Sequence, residues 1–211
     1  MKMRLNLEGR EGRRAKEGVG EHPAPESDYL TMFRASRRES ASDEAVRTLK
    51  GQFAGSLDAR MNFDSVFRVV RKTVLKHTGR ERPGVGLALA DLPNELGAYW
   101  EIGGNYIVMN SILVGAMRRI AASETEYNSF IYTILAHEYI HSLGFVDEAD
   151  ARRITAAVAI EAFGPEHPAA VIANGDIWTI YPVLRFAPSG LNENIRFVEN
   201  FDIERTSSYI R

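Results

Sequence analysis

The sequence contains no cysteine. The chain therefore forms no disulfide and offers no thiolate to a metal ion, so any metal site must use nitrogen and oxygen ligands. Long apolar runs are missing as well. No stretch approaches the roughly 18 residues of a membrane span, and the first residues show no apolar signal segment. We therefore expect a cytoplasmic protein with no membrane partner.

A strong excess of one charge is also missing. The formal net charge is −2 and the pI is about 6.2, which gives no electrostatic basis for binding nucleic acid. With 211 residues, of which 45% are hydrophobic, the chain is long and apolar enough to bury the core of one domain. We expect no nucleic-acid partner.

Residues 1–60 show little apolar periodicity. Through residue 27 they mix Arg, Lys, Glu and Gly, a composition that cannot bury enough surface to fold by itself. We predict a poorly ordered leader over 1–60, with a possible short helix at 41–53, followed by a folded domain over 61–211.

Within 61–211 the patterns indicate both helices and short strands. The spacing of apolar residues from Phe63 onward predicts an amphipathic helix, and Val85–Ala90 is typical of a short buried strand. Two apolar segments flank Gly103-Gly104 and predict a hairpin, after which a helix begins behind Asn110. These elements indicate an α+β domain with a small, mostly antiparallel sheet.

A long helix is predicted next. Ser123 followed by Glu126 forms a capping box, which places the helix start at Glu124. Its apolar residues lie on nearly every side, a pattern typical of a helix buried between layers. Gly144 permits a left-handed backbone and ends the helix.

The end of this helix carries the chemically active residues. His137 and His141 are four residues apart and lie on one helix face, so both imidazoles can reach a single metal ion. Glu138 lies beside that face and can accept a proton from water. Because a buried helix must satisfy such polar groups, we favour a metal ion over a pair of hydrogen-bonded core histidines.

Four side chains compete for the place of a third ligand. Asp147 is the first choice because the glycine turn brings it back toward the histidines, although it is also placed to cap a helix over residues 148–163. Glu148 is the second choice. Glu161 and His167 are chemically suitable but distant. If the helix over residues 148–163 runs antiparallel to the long helix, its rise of about 1.5 Å per residue places both near the opposite end of the long helix from the histidines.

The segment His137–Asp147, with its HExxHxxGxxD pattern, resembles the zincin superfamily of metallopeptidases, in particular the metzincin variants in which Asp replaces the third histidine. The wider phrase HEYIHSLGFVDE, followed by a helix and FGPEHP, also resembles uncharacterised archaeal metallopeptidases. The resemblance implies zinc bound by His137, His141 and Asp147, with Glu138 as general base. It also implies a zincin-like α+β fold, in which a small sheet and flanking helices pack on a buried active-site helix.

Two features depart from the family patterns. Metzincins carry a methionine turn after the third ligand, whereas this chain has no methionine beyond Met117. A gluzincin-type ligand set would use Glu148, but it normally has a longer connection to that residue. Resemblance to zincins in the broad sense implies that the 61–211 domain hydrolyses peptide bonds, with a peptide or protein substrate bound along an edge strand of the hairpin.

Other functions stay open at this point. A non-catalytic binding domain stabilised by metal would keep the same histidines without turnover. A zinc hydrolase of a non-peptide bond would share the metal chemistry and differ only in the cleft. A structural helical domain, in which His137 and His141 bond to neighbouring residues, would bind no metal.

Overall fold

The computed structural model of the protein describes residues 52–188 and 195–202. These residues form helices and a short four-stranded β-sheet, which confirms the predicted α+β class. In chain order the elements are α1 (Phe63–Thr78), β1 (Gly86–Ala90), β2 (Ala98–Trp100), β3 (Tyr106–Asn110), α2 (Ser111–Ile120), α3 (Glu124–Ser142), α4 (Glu148–Phe163), α5 (Pro168–Asn174), α6 (Ile177–Ile180), a 3₁₀ helix (Pro182–Phe186) and β4 (Arg196–Phe197).

Capping residues mark the boundaries of the helices. Asn62 accepts a hydrogen bond from the backbone N–H of Ser65 at the start of α1, and Gly79 ends that helix in the left-handed conformation. Asn110 caps α2 in the same way, and Ser123 caps α3. The long helix and its start at Glu124 are therefore confirmed.

The sheet has the strand order β2-β3-β1-β4 and is mixed. Strands β2 and β4 are antiparallel to their neighbours, whereas β1 and β3 are parallel. The parallel pair arises because β2 adds to the outer side of β3, so the chain reverses twice between β1 and β3. As a result β2 is an edge strand among the described residues.

The predicted hairpin is present with a longer connection than Gly103-Gly104 alone. The N–H of Gly104 donates to the carbonyl of Glu101 at 2.7 Å, which makes Ile102 and Gly103 the central residues of the turn. Gly103 has φ of +85°, a conformation that a side chain at this third turn position would strain. The exposed Ile102 therefore projects from the hairpin tip.

Helix α3 lies at the centre of the fold. Of its 19 residues, 13 are buried, because α1, α4, α5 and the sheet pack around it. The rings of Tyr139 and of Phe67 from α1 pack nearly perpendicular to each other, with their centres 5.2 Å apart. The chain before α1 also enters this core, since Leu57 is fully buried and Asn128 binds its carbonyl at 2.8 Å.

Several sequence predictions fall partly or wholly outside the described residues. The proposed leader over 1–60 is described only from residue 52, and the short helix expected at 41–53 lies almost entirely outside the described range. Among the described helices, none has the length and apolarity that crossing a membrane requires.

Candidate metal centre

The two histidines of α3 direct their rings to one point. Nε2 of His137 lies 3.2 Å from Nε2 of His141, one helical turn later. Glu148, the first residue of α4, completes a group of three, with Oε2 at 3.4 Å from His137 Nε2 and 3.3 Å from His141 Nε2. Among the described residues, this is the group of acidic and histidine side chains suited to bind a metal ion.

The turn between α3 and α4 makes this arrangement possible. Gly144 has φ of +97°, and its N–H donates to the carbonyl of His141 at 3.0 Å, which ends α3 and reverses the chain. The following carbonyl of Phe145 lies 2.8 Å from Nδ1 of His141. A neutral His141 that donates from Nδ1 to this carbonyl keeps a lone pair on Nε2, the atom that faces the group.

Asp147 has a different role from Glu148. It is the N-cap of α4, and its carboxylate accepts the N–H of Asp150 at 3.0 Å. A capping side chain turns toward the N–H groups of its own helix, whereas the next side chain projects from the helix toward α3. The structure therefore brings Glu148, and not Asp147, to His137 and His141. This geometry favours Glu148 over the first choice from sequence.

The two remaining candidates have other partners. Oε2 of Glu161 lies 2.6 Å from Nδ1 of His77 at the end of α1. His167 is the N-cap of α5, where its Nδ1 accepts the N–H of Ala169 at 3.1 Å and its ring stacks on Phe163 at 4.7 Å. Both were expected to lie far from the histidines, and both contact residues elsewhere.

The spacing of the three donor atoms fits a small tetrahedral cation. Zinc bonds of about 2.0–2.1 Å in a tetrahedron place neighbouring ligand atoms about 3.3–3.4 Å apart. The three observed separations are 3.2, 3.3 and 3.4 Å. Two imidazoles and one carboxylate are also a donor set of catalytic zinc sites, which keep the fourth position open. The residues present therefore fit a zinc ion.

The second oxygen of Glu148 has its own partner, which sequence reasoning missed. Nε of Arg152 donates to Oε1 of Glu148 at 2.7 Å, one turn along α4. Partial burial raises the pKa of Glu148, but the bond from Arg152 and the charge of His137 outweigh it and hold the pKa below its usual range. The signal for this pair is the i,i+4 spacing of Glu and Arg on one helix.

Glu138 lies beside the group but is buried, with 7% of its surface exposed. Burial raises the pKa of Glu138 from 4.5 to about 7, Glu148 adds to this rise, and His141 opposes it. The backbone N–H of Trp100 in β2 also bonds to this carboxylate and lowers its pKa. A carboxyl group with a pKa near neutrality can both accept and release a proton.

The pKa of His137 is lowered. Burial is the main cause, and the charge of Glu148 acts in the opposite direction. A lowered pKa favours the neutral imidazole, which is the form that binds metal ions.

These side chains face an open cleft of about 470 Å³. Residues of edge strand β2 line it, together with Val146 from the turn before α4 and Arg152 from α4. From His137 the cleft continues along α3 toward its N-terminal end. There it is lined mainly by apolar side chains, namely Phe130, Ile134, Ile172, Ile177 and Trp178.

No family model, curated protein or solved structure matches the chain. The functional assignment therefore depends on the chemistry of the site itself.

Proposed function

We propose that the protein is a zinc-dependent metallopeptidase of zincin type. One observation carries the proposal: three donor atoms of His137, His141 and Glu148 lie 3.2–3.4 Å apart beside the buried carboxylate of Glu138. In this proposal the three residues bind the zinc ion, and Asp147 caps α4.

Glu138 is the general base. A bound zinc ion supplies Lewis acidity toward the scissile carbonyl and the attacking water. The carboxylate of Glu138 accepts a proton from that water and then donates it to the nitrogen of the leaving amine.

Edge strand β2 supports a peptide as the substrate. Asn110 donates to the carbonyl of Gly97 at 2.9 Å, and bonding alternates along an antiparallel pair. The N–H and C=O of Ala98 therefore point away from β3, and Ala98 lines the cleft. These groups can pair with the backbone of an extended chain of any sequence. The cleft along α3 then receives one substrate side chain, and its lining favours an apolar one.

The first experiment compares the purified wild-type chain with Glu138→Gln. We expect one zinc per chain in both proteins by elemental analysis. Only the wild type should cleave an unstructured protein such as denatured casein, and a chelator should stop that cleavage. Asp91→Asn is a control for a carboxylate outside the cleft, where the side chain bonds to Ser111.

Each rival function gives a different result. Full activity of Glu138→Gln would remove the general base from the proposal. Stoichiometric zinc without cleavage of any protein would indicate a binding domain stabilised by metal. Chelator-sensitive hydrolysis restricted to esters or other non-peptide bonds would indicate a different zinc hydrolase. Absence of zinc at any loading would indicate a structural role for the histidines. The cytoplasmic location stays a prediction.

A further inference from the structure

We propose that Arg82 is a positioning residue for the reaction. It lies in the connection between α1 and β1, outside the metal centre. Its guanidinium connects the β2–β3 hairpin to the C-terminal end of α3, and this connection keeps Trp100 against Glu138. The inference rests on the proposed peptidase function for its kinetic consequence, whereas the connection itself is a property of the fold.

On the helix side, Arg82 contacts the last turns of α3. Nη1 donates to the carbonyl of Ser142 at 3.1 Å. The backbone N–H of Arg82 donates to the hydroxyl of Tyr139 at 2.8 Å, and that hydroxyl is 3.2 Å from the carbonyl of Arg82. Tyr139 is fully buried and follows Glu138 directly, so Arg82 is fixed relative to the base.

On the hairpin side, Arg82 contacts the connection between the strands. Nη2 donates to the carbonyl of Gly104 and to Oδ1 of Asn105, both at 2.9 Å. The guanidinium carbon also lies 5.3 Å from the centre of the Trp100 ring. The indole N–H of Trp100 donates to the same carbonyl of Gly104 at 3.0 Å. One planar group therefore fixes both the turn and the aromatic side chain.

This connection matters because β2 is a short edge strand. It is three residues long, packs against α3 and, among the described residues, pairs with one strand, β3. Its distance from α3 determines whether the backbone N–H of Trp100 reaches the carboxylate of Glu138. A displacement of about 1 Å at a catalytic group can reduce the rate about a hundredfold. Arg82 thus controls the orientation of the base from outside the metal centre.

The kinetic test uses Arg82→Gln, with Arg118→Gln as its matched control. Arg118 also donates two bonds, both at 2.7 Å to Glu124, and lies 4.5 Å over Tyr127, but it is at the opposite end of α3. In Arg82→Gln we expect kcat for a fluorogenic peptide to fall about tenfold or more, with zinc affinity unchanged. Arg118→Gln should keep the wild-type kcat. A normal kcat per zinc-loaded molecule in Arg82→Gln would overturn the proposal, even if its Tm were lower.

A spectroscopic test does not require activity. The chain has two tryptophans, so Trp178→Phe leaves Trp100 as the single emitter. Adding Arg82→Gln to this background should shift the emission of Trp100 to longer wavelength and increase its quenching by acrylamide. Arg118→Gln in the same background should do neither. Unchanged Trp100 emission in the Arg82 variant would contradict the connection.

A milder variant covers the case in which Arg82→Gln does not fold. Asn105→Ala removes one acceptor of the guanidinium and leaves the backbone in place. A second variant, Arg82→Lys, keeps the charge, and Asn105→Ala should lower kcat less than it does. The effects on kcat should be non-additive in the Arg82→Lys/Asn105→Ala double variant, because both changes break one contact network. Additive effects would overturn the proposal. If the wild type cleaves no peptide, the proposed function fails, and the emission of Trp100 still decides the role of Arg82.

Discussion

Oε2 of Glu148 lies 3.3 Å from Nε2 of His141, across the turn that joins α3 to α4. The other oxygen of the same carboxylate accepts a bond from Arg152. Glu148 is thus contacted from both sides, by His141 of α3 and by Arg152 of its own helix. This double contact makes the first turn of α4 part of the site.

Substitutions of the adjacent residues Asp147 and Glu148 should have different effects, one on helix capping and the other on metal binding. Glu148→Gln should lose most of its zinc affinity, since an amide replaces a charged ligand, whereas Asp147→Ala should keep it. Asp147→Ala should instead lose about 1 kcal/mol of stability, because the N-terminal N–H groups of α4 lose their acceptor. Zinc competition with a chromophoric chelator and urea unfolding measure the two effects. Loss of zinc in Asp147→Ala would restore Asp147 as a ligand.

Arg152 should increase zinc affinity by holding the carboxylate of Glu148 in place, although Arg152 itself is not a proposed ligand. Removing such an outer partner commonly lowers metal affinity or activity about 10–100-fold, and we expect this range for Arg152→Ala. The neighbouring Arg153 bonds to Asp150 at 2.7 Å and provides a matched control. Arg153→Ala should bind zinc as the wild type does. Equal affinities in both variants would show that Arg152 does not orient Glu148.

The raised pKa of Glu138 should appear in the stability of the metal-free protein. Its pKa is about 7 in the fold and about 4.5 in the unfolded chain, so the folded state holds the proton more tightly. That stabilisation is complete below pH 4.5 and is lost as pH rises through 7. Relative to Glu138→Gln, the wild type should lose at most about 3 kcal/mol over this window. Urea unfolding of both proteins in the presence of a chelator, from pH 4.5 to 8, measures this loss. If the free energies of unfolding of the two proteins depend on pH in the same way, the prediction is contradicted.

Substrate binding along β2 should depend on backbone amides of the substrate. N-methylation removes one donor at a time, and a lost hydrogen bond to the Ala98 carbonyl should raise KM about tenfold at one position. The control is a peptide with alanine at the same position, which keeps the backbone amide. Its KM should rise less than that of the N-methylated peptide, except at the position whose apolar side chain enters the cleft. Equal KM values for all N-methylated peptides would argue against edge-strand pairing.

The sequence was sufficient for the elements that carry local signals. Helix α3 could be predicted because Ser123, Glu126 and Gly144 mark its ends, and the face shared by His137 and His141 follows from helical spacing. Such features depend on residues within a few positions of one another. They need no knowledge of the tertiary structure.

Other features depend on tertiary contacts. Whether Asp147 or Glu148 reaches the histidines is decided by a one-residue offset at the N-cap, where the two side chains point in different directions. The parallel pairing of β1 with β3 depends on a hairpin that adds on the far side. Arg82 contacts Tyr139 and Ser142, which follow it in the sequence by 57 and 60 positions, so no local pattern indicates its role.

The short turn at Gly144 also has a thermodynamic consequence. All three proposed ligands come from His137–Glu148, a segment of 12 residues. Closing so short a loop costs little entropy, so the same three side chains could also bind the ion in the unfolded chain. Because ligand that binds the unfolded state reduces the stabilisation of the folded one, zinc would raise the unfolding temperature less than its affinity for the native site suggests. The same proximity would let a nascent chain acquire its metal before the sheet has formed.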